Sequence, residues 1–256
     1  MAFVFDKKKP LLVSMVQEET VDGALDSIAT GLYDGAEAFG IQLEDLLPEY
    51  RTLDNLKKIF AACMGRPIYI TSYPVRHSAG FTHEQCLELL FLGAEAGADL
   101  CDIMGDTFDP QPYELTFDEQ AIAKQKVYID RIHAMGKQVL ISSHTHTHLS
   151  MDEVLRYAKA QKERGADVVK IVNQANGREE LQESVNCIFQ LHKELDGTPF
   201  LFLTSGSGSS IIRQTGPLYG VCMYLCAPWY RKGYTRQQPL LRSMKQVRDN
   251  LLFWPE

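Results

Sequence analysis

The chain has 256 residues and a mass of 28.9 kDa, a length typical of one large α/β domain. Hydrophobic residues make up 45% of it and charged residues 23%, which excludes a disordered, fibrous or coiled-coil protein. The net charge of -7 comes without a basic cluster. We therefore expect a small-molecule partner and no nucleic acid.

The sequence also predicts a cytoplasmic protein without a membrane partner. No apolar run approaches the roughly 18 residues that a membrane-spanning helix needs, and residues 1–9 lack an apolar signal core. The cysteines are scattered and form no CxxC motif, which predicts reduced thiols and no metal-thiolate site. They are Cys63, Cys86, Cys101, Cys187, Cys222 and Cys226.

A repeated pattern of six glycines divides the chain into similar units. Each glycine follows a helical pattern and precedes an apolar run, and three of them begin a Gly-Ala-acidic motif. The intervals between them are 30, 32, 39, 29 and 32 residues, the length of one βα unit. Glycine at such a position ends a helix in a left-handed conformation. The six are Gly35, Gly65, Gly97, Gly136, Gly165 and Gly197.

The apolar runs predict eight strands separated by helices such as 150–164 and 179–195. Strands that are apolar on both faces are typical of a parallel sheet covered by helices. We predict a single-domain (β/α)8 TIM barrel over residues 1–256, with an open doubly wound sheet as the alternative. In a barrel, functional residues lie at the C-terminal ends of the strands. The predicted strands are 11–16, 37–43, 67–73, 99–104, 138–144, 167–173, 199–204 and 221–226.

Lys170 lies inside the predicted sixth strand, in the sequence DVVKIV. An unpaired ammonium would be costly among the apolar helices, so we expect Lys170 to point into the barrel. Burial favours the neutral amine that imine formation with a carbonyl substrate requires. An ion-paired or surface-reaching lysine is the structural alternative.

The preceding strand ends in three alternating histidines. His144 is expected to face the barrel interior next to Lys170, where it could move protons at the carbon beside a carbonyl. A hydrogen-bonded core histidine is the alternative. A metal site formed by His144, His146 and His148 is another, with Asp102 and Asp106 as the only nearby carboxylates. We expect His146 and His148 to line the barrel mouth.

Two loops follow the last strands. The loop after the seventh strand contains Ser205, further serines and glycines, and then Arg213. Its backbone N–H groups and the guanidinium suit a carboxylate or phosphate, unless this is a mobile polar loop. Residues 229–232 follow the eighth strand and form either a lid or an exposed polar loop.

The order of these parts resembles type I 3-dehydroquinate dehydratase. The matching segments are ISSH at His144, GADVVKI at Lys170, Arg213 followed by a glycine and Tyr-Gly, and also GAEAFGIQLEDL and GADLCDI. The resemblance implies that Lys170 forms an imine with a ketone, that His144 shuttles protons and that Arg213 binds a carboxylate. It further implies a homodimer and no cofactor or metal.

Several recognition positions differ from those of the family. The second strand carries Gly40 and Gln42 where the family has Glu and Arg, and Val221 replaces a serine. Tyr73 and Met104 replace an arginine and a glutamate. The family's loop glutamine has no clear counterpart within residues 235–237.

We therefore predict a Schiff-base lyase that removes water from a hydroxylated cyclic keto acid, which need not be 3-dehydroquinate. Lys170 and His144 are its predicted catalytic residues. A metal-dependent isomerase or hydrolase with the same barrel, and a non-catalytic ligand-binding relative, remain the alternatives. The predicted substrate-binding residues are Arg213, Gln42, Tyr73, Met104, His146 and Ser205.

Overall fold

The computed structural model describes residues 3–5 and 9–250. In this part of the chain, eight strands alternate with eight α-helices. The strands are β1 (Leu11–Val16), β2 (Ala38–Gln42), β3 (Ile68–Thr71), β4 (Leu100–Met104), β5 (Gln138–His144), β6 (Val168–Gln174), β7 (Phe200–Ser205) and β8 (Met223–Cys226). The helices are α1 (Val21–Asp34), α2 (Leu53–Ala62), α3 (His83–Ala96), α4 (Glu119–Ala134), α5 (Met151–Glu163), α6 (Arg178–Glu194), α7 (Ser209–Thr215) and α8 (Leu241–Asp249).

The strands form one parallel sheet that curls into a nearly closed barrel. Their order is β7-β6-β5-β4-β3-β2-β1-β8. At the remaining seam, the backbone N–H of Cys222 donates to the carbonyl of Phe200 at 3.0 Å. The TIM-barrel prediction is thus confirmed, and the open-sheet alternative is wrong. Each predicted strand corresponds to an observed one, with ends that differ by at most two residues.

The six repeated glycines lie at or just after helix ends, as predicted. All six have positive φ angles, between 72° and 121°, a region that other residues enter only with strain. At Gly35 the backbone N–H returns to the carbonyls of the last turn of α1. The regular spacing of the glycines therefore records the regular spacing of the helix ends.

The acidic residue of the Gly-Ala-acidic motif has a structural role at the N-terminal end of the barrel. In each motif its backbone N–H donates to a carbonyl of the preceding strand, and its carboxylate accepts from the backbone N–H of the same partner residue. This reciprocal pair joins β2 to β1, β4 to β3 and β6 to β5, so the motif occurs in every second unit. The pairs are Glu37 with Leu12, Asp99 with Ile68, and Asp167 with Val139.

Two further predictions concern the cysteines and membrane-spanning helices. All six cysteines are buried and unpaired, as expected of thiols that serve as small apolar side chains. Across residues 3–5 and 9–250, no helix is both long and apolar enough to cross a membrane.

Candidate active site

Lys170 projects from β6 into the barrel, as the sequence predicted. Its side chain is only 5% exposed, and its backbone lies between Ser142 on β5 and Leu201 on β7. The amine does not point into an apolar void. It meets a compact polar network that includes side chains from β3 and β4.

Three oxygen atoms surround the Lys170 ammonium. Its Nζ lies 2.9 Å from Asp102 Oδ2, 2.7 Å from the Tyr73 hydroxyl and 3.2 Å from the Tyr69 hydroxyl. Both tyrosine hydroxyls also donate to Asp102 Oδ2, Tyr73 at 2.6 Å. The other carboxylate oxygen, Oδ1, is buried without a hydrogen-bond partner among the described residues. Lys170 is thus ion-paired, which was the structural alternative considered for it.

The network fixes the charges of its members. Burial alone would raise the pKa of Asp102, but the Lys170 ammonium and the hydrogen bonds from the Tyr69 and Tyr73 hydroxyls outweigh it and hold that pKa below its usual value. Burial and the negative charge of Asp102 raise the pKa values of Tyr69 and Tyr73 well above 10. Both phenols therefore remain protonated beside an ionised carboxylate.

His144 ends β5 and is oriented by a residue that the sequence analysis missed. Its Nδ1 lies 2.5 Å from Glu114 Oε2, and its ring contacts the Tyr73 ring edge-on, with centroids 5.3 Å apart. Burial would raise the pKa of Glu114, but the hydrogen bond and charge of His144 lower it overall. The arrangement resembles an oriented general base, because the carboxylate fixes one ring nitrogen and leaves the other available.

A cleft of about 530 Å³ opens above this network at the C-terminal end of the barrel. Its wall includes His144, Tyr73 and the buried Met104, together with the more exposed His146. Asp106 also lines it, and one of its buried oxygens has no partner within residues 3–5 and 9–250. Lys170 does not line this cleft. Tyr73 therefore separates the amine from the open part of the site.

Arg213 and Ser205 lie on the β7 side of the barrel. Arg213 is 8% exposed, and its Nε donates to the Thr204 carbonyl at 3.0 Å. It forms no ion pair with the described residues, and burial lowers its pKa to about 10. Ser205 donates to the carbonyl of Asn173 and to the Gln174 side chain. A buried guanidinium without a carboxylate partner is suited to an anionic ligand.

Gly40 and Gln42, the two positions on β2 that differ from the family, are surrounded by other side chains of the protein. A Cβ atom on Gly40 would lie 2.3 Å from Met15 Sδ and 3.1 Å from a Tyr69 ring carbon, so any side chain there would displace Met15. Gln42 donates through Nε2 to Glu44 at 3.1 Å, while its Oε1 is buried and has no partner in the described part of the chain. Gln42 thus contacts its own loop.

Glu44 provides a prediction on pH and stability. It is fully buried, and burial raises its pKa from 4.5 to about 7. Because the unfolded carboxyl ionises first, the folded state is progressively penalised as pH rises from about 4.5 to 7, by about 3 kcal/mol in total. Glu44→Gln should stabilise the protein relative to wild type at pH 8 but not at pH 4, measured by denaturant unfolding. An equal effect at both pH values would contradict this.

The three alternating histidines do not converge. His148 contacts the carbonyl of Gln174 and Glu183, at 2.7 and 2.9 Å, and it does not line the cleft that His144 and His146 border. Within the described part of the chain, no three His, Cys, Asp or Glu side chains are arranged to hold a metal ion. The site geometry therefore gives no support to the metal-dependent alternative.

The loop after β8 is attached to the loop after β1. Arg231 pairs with Glu18, and the Tyr234 hydroxyl donates to the same carboxylate at 2.8 Å. Tyr230 and Arg231 remain exposed at the surface. The predicted residues 229–232 thus form an exposed segment that is held in place at its base.

A family model for type I 3-dehydroquinase matches residues 14–247 of the sequence. The chain belongs to the type I 3-dehydroquinase family. The match covers the second half of β1 and all of β2 to β8, including the strands that carry Lys170 and His144. The family resemblance seen in the sequence is confirmed, and it identifies the chain as a member of a dehydratase family.

Solved structures of 3-dehydroquinate dehydratases have the same fold. The enzyme from Clostridium difficile, crystallised with covalently modified comenic acid, aligns with a TM-score of 0.81 at 13% identity over 96% of this chain and 94% of its own. The Geobacillus kaustophilus 3-dehydroquinate dehydratase gives 0.79 at 16% identity, over 97% and 93%. The Enterococcus faecalis enzyme gives 0.77 at 14%, over 96% and 95%. No curated protein matches the sequence significantly.

The sequence of this dehydroquinase-family member contained signals for part of the hydrogen-bond network around Lys170. Asp102 shares its strand face with Met104, and Tyr69 shares its face with Thr71, so alternation indicated that both enter the barrel. The sequence analysis considered Asp102 only as a carboxylate for a metal site, whereas the structure pairs it with Lys170. Glu114 had no comparable signal, because it lies in the long loop between β4 and α4.

Proposed function

We propose that this chain is a Schiff-base dehydratase, in which Lys170 forms an imine with the ketone of a hydroxylated cyclic keto acid. The observation that carries the proposal is the buried Lys170 amine beneath a cleft lined by His144. The iminium acts as an electron sink, so an α-proton can leave to His144, and His144 then gives this proton to the β-hydroxyl as the C–O bond breaks and water departs. The chemistry requires no metal or organic cofactor.

The remaining predicted residues would bind the substrate. Arg213 would hold its carboxylate through a guanidinium that lacks another anionic partner. Tyr73, Met104 and His146 would contact the ring from the cleft wall. Gln42 and Ser205 hydrogen-bond within the protein and would have to exchange these bonds for substrate bonds.

The substrate is expected to differ from 3-dehydroquinate in its recognition groups. Met104 and Gly40 offer no side-chain hydrogen bonds where the family carries polar groups. A site that binds hydroxyls strongly does so through groups that are otherwise left unpaired. Activity against 3-dehydroquinate and related keto acids, compared in parallel, tests this selectivity.

Borohydride trapping tests the imine. Wild-type protein incubated with 3-dehydroquinate and related keto acids should acquire a covalent adduct that maps to Lys170, detected by intact-mass and peptide analysis. Lys159→Met removes a surface lysine and should leave the adduct unchanged. Turnover with an unmodified Lys170 would reject the mechanism.

A non-catalytic ligand-binding protein is the second candidate. It is favoured by the complete set of hydrogen bonds around Lys170 and by the ion pair with Asp102. This candidate predicts saturable binding of a keto acid in calorimetry, without turnover and without a borohydride adduct. Either turnover or an adduct on Lys170 would exclude it.

Glu114 provides a prediction for the general base. Glu114→Gln keeps a hydrogen-bond acceptor for His144 but removes the charge that stabilises the imidazolium, so we expect kcat to fall about 100-fold with a smaller change in KM. Glu183→Gln is the matched control, because it alters the same kind of His-Glu pair at His148 outside the cleft. Equal losses in both variants would show that orientation of His144 is not catalytic.

We also propose a homodimer that acts in the cytoplasm. The six buried and unpaired cysteines support a reducing compartment. The dimer rests on the family resemblance alone. Sedimentation equilibrium should give twice the chain mass of 28.9 kDa, and a single chain mass at micromolar concentration would contradict it.

A further inference from the structure

Tyr73 occupies a special position between the cleft and Lys170. Among the described residues, three groups hydrogen-bond the Lys170 amine, and of these only Tyr73 also lines the cleft. Tyr69 is 1% exposed and Asp102 also 1%, so a ligand in the cleft does not reach them. A carbonyl that approaches Lys170 from this cleft therefore meets Tyr73, whose hydroxyl contacts the amine at 2.7 Å.

We propose that Tyr73 is a catalytic residue of imine formation, which carries the two protons that leave the Lys170 nitrogen to the departing carbonyl oxygen. Asp102 holds one of these protons between the two steps. The proposal rests on the imine chemistry proposed above and assigns a role to a residue that replaces a family arginine.

The first step produces the carbinolamine. The Lys170 ammonium gives one proton to Asp102, directly across 2.9 Å or through the Tyr73 hydroxyl, which lies 2.7 Å from Nζ and 2.6 Å from Oδ2. The neutral amine then forms the C–N bond, and the carbonyl π electrons move to oxygen. Tyr73 accepts a proton from the new N–H and donates its own to that oxygen, so it ends unchanged.

The second step produces the imine. The proton held by Asp102 passes through Tyr73 to the carbinolamine hydroxyl, and the C–O bond breaks as water leaves. The nitrogen lone pair forms the C=N bond. The net change converts one ammonium and one ketone into one protonated imine and one water, while Asp102 and Tyr73 regain their starting states.

The surroundings of Tyr73 support this role. Its phenol stays protonated, since burial and the Asp102 charge raise its pKa well above 10, so it has a proton to donate. Asp102 Oδ2 lies 2.6 Å from the Tyr73 hydroxyl and 2.9 Å from Nζ, so the oxygen that takes the proton contacts both the amine and the relaying hydroxyl. His144 makes no hydrogen bond to Lys170 among the described residues, and its Nδ1 is held by Glu114. His144 thus remains available for the α-proton.

Tyr69 provides a matched control within the same network. Tyr69→Phe and Tyr73→Phe each delete one donor to Asp102 and one acceptor for Lys170. Their effects on the ion pair should therefore be alike. Only Tyr73→Phe also removes a hydroxyl from the cleft wall, so the difference between the variants reports the contact with substrate.

The experiment compares two reactions of Lys170 in each variant. The first is imine formation with 3-dehydroquinate and related cyclic keto acids, followed by rapid borohydride quenching. The second is carbamoylation by cyanate, which also needs a neutral amine but releases no carbonyl oxygen. We expect imine formation at least about 100-fold slower in Tyr73→Phe than in Tyr69→Phe, with similar carbamoylation rates in both.

Each other outcome overturns the proposal in a recognisable way. Equal imine rates in the two variants would show that Tyr73 adds nothing at the substrate. If carbamoylation is slower in Tyr73→Phe but not in Tyr69→Phe, Tyr73 acts only on the reactivity of the Lys170 amine. If wild type forms no imine with any keto acid, the proposed function fails as well. If Tyr73→Phe does not fold, the two reactions of wild type are compared in ordinary and deuterated water. Deuterated water must then slow imine formation by a larger factor than carbamoylation. Equal factors would contradict the proposal.

Discussion

Lys170→Met is expected to reduce kcat/KM by at least about 10⁴-fold, because the variant keeps the length of the side chain but lacks the nitrogen that forms the imine. Steady-state kinetics with the keto acid that wild type turns over most rapidly measures the loss. Exogenous methylamine should not restore the rate, since the barrel is packed around the side chain and Tyr73 covers the site.

The kinetic control separates chemistry from binding. Lys170→Met should still bind the product or an unreactive analogue, because Arg213 and the cleft wall are unchanged. Lys159→Met, on the surface of α5, should retain wild-type rates. Residual activity of Lys170→Met above a tenth of wild type would contradict imine catalysis.

Lys170→Met is also expected to destabilise the fold, by about 3–5 kcal/mol at pH 7, because it leaves the Asp102 carboxylate buried without its ammonium. The double variant Lys170→Met/Asp102→Asn removes both charges and should recover most of this loss. Free energies of unfolding from urea titration of the wild type, both single variants and the double variant complete a double-mutant cycle.

The stability that the Lys170–Asp102 ion pair contributes depends on pH. The pKa of Asp102 is lowered in the folded protein, so the pair contributes stability above the unfolded pKa of about 4, and that contribution is lost as pH falls through the folded pKa. Lys170→Met should therefore be closest to wild type in stability below about pH 4. A deficit independent of pH, or additive single variants, would show that the pair is not coupled.

The barrel could be predicted because its signals are local and repeated. The glycines Gly35 and Gly97, for example, adopt the left-handed conformation that their position after a helix requires. Strand alternation then placed Lys170 inside the barrel. The role of the acidic residues in the same motifs could not be deduced from the sequence, because the residues that they bind, Leu12 and Ile68, lie 25 and 31 residues away.

The site could be predicted only in outline. The strands that carry Lys170 and His144 were identified correctly, but the partners of both side chains come from other strands and loops. Asp102 is 68 residues and Tyr73 97 residues from Lys170, and Glu114 is 30 residues from His144. No spacing rule connects residues whose contact is created by closure of the barrel.

The sequence by itself determined the number, order and direction of the strands, because helix ends and apolar runs are properties of short segments. It also determined that an amine would enter the barrel. Only the tertiary structure decided that this amine would be an ion-paired ammonium beneath Tyr73. That outcome depends on where the side chains of β3, β4 and β6 meet across the barrel axis, and distances across a closed sheet depend on the packing of the whole fold.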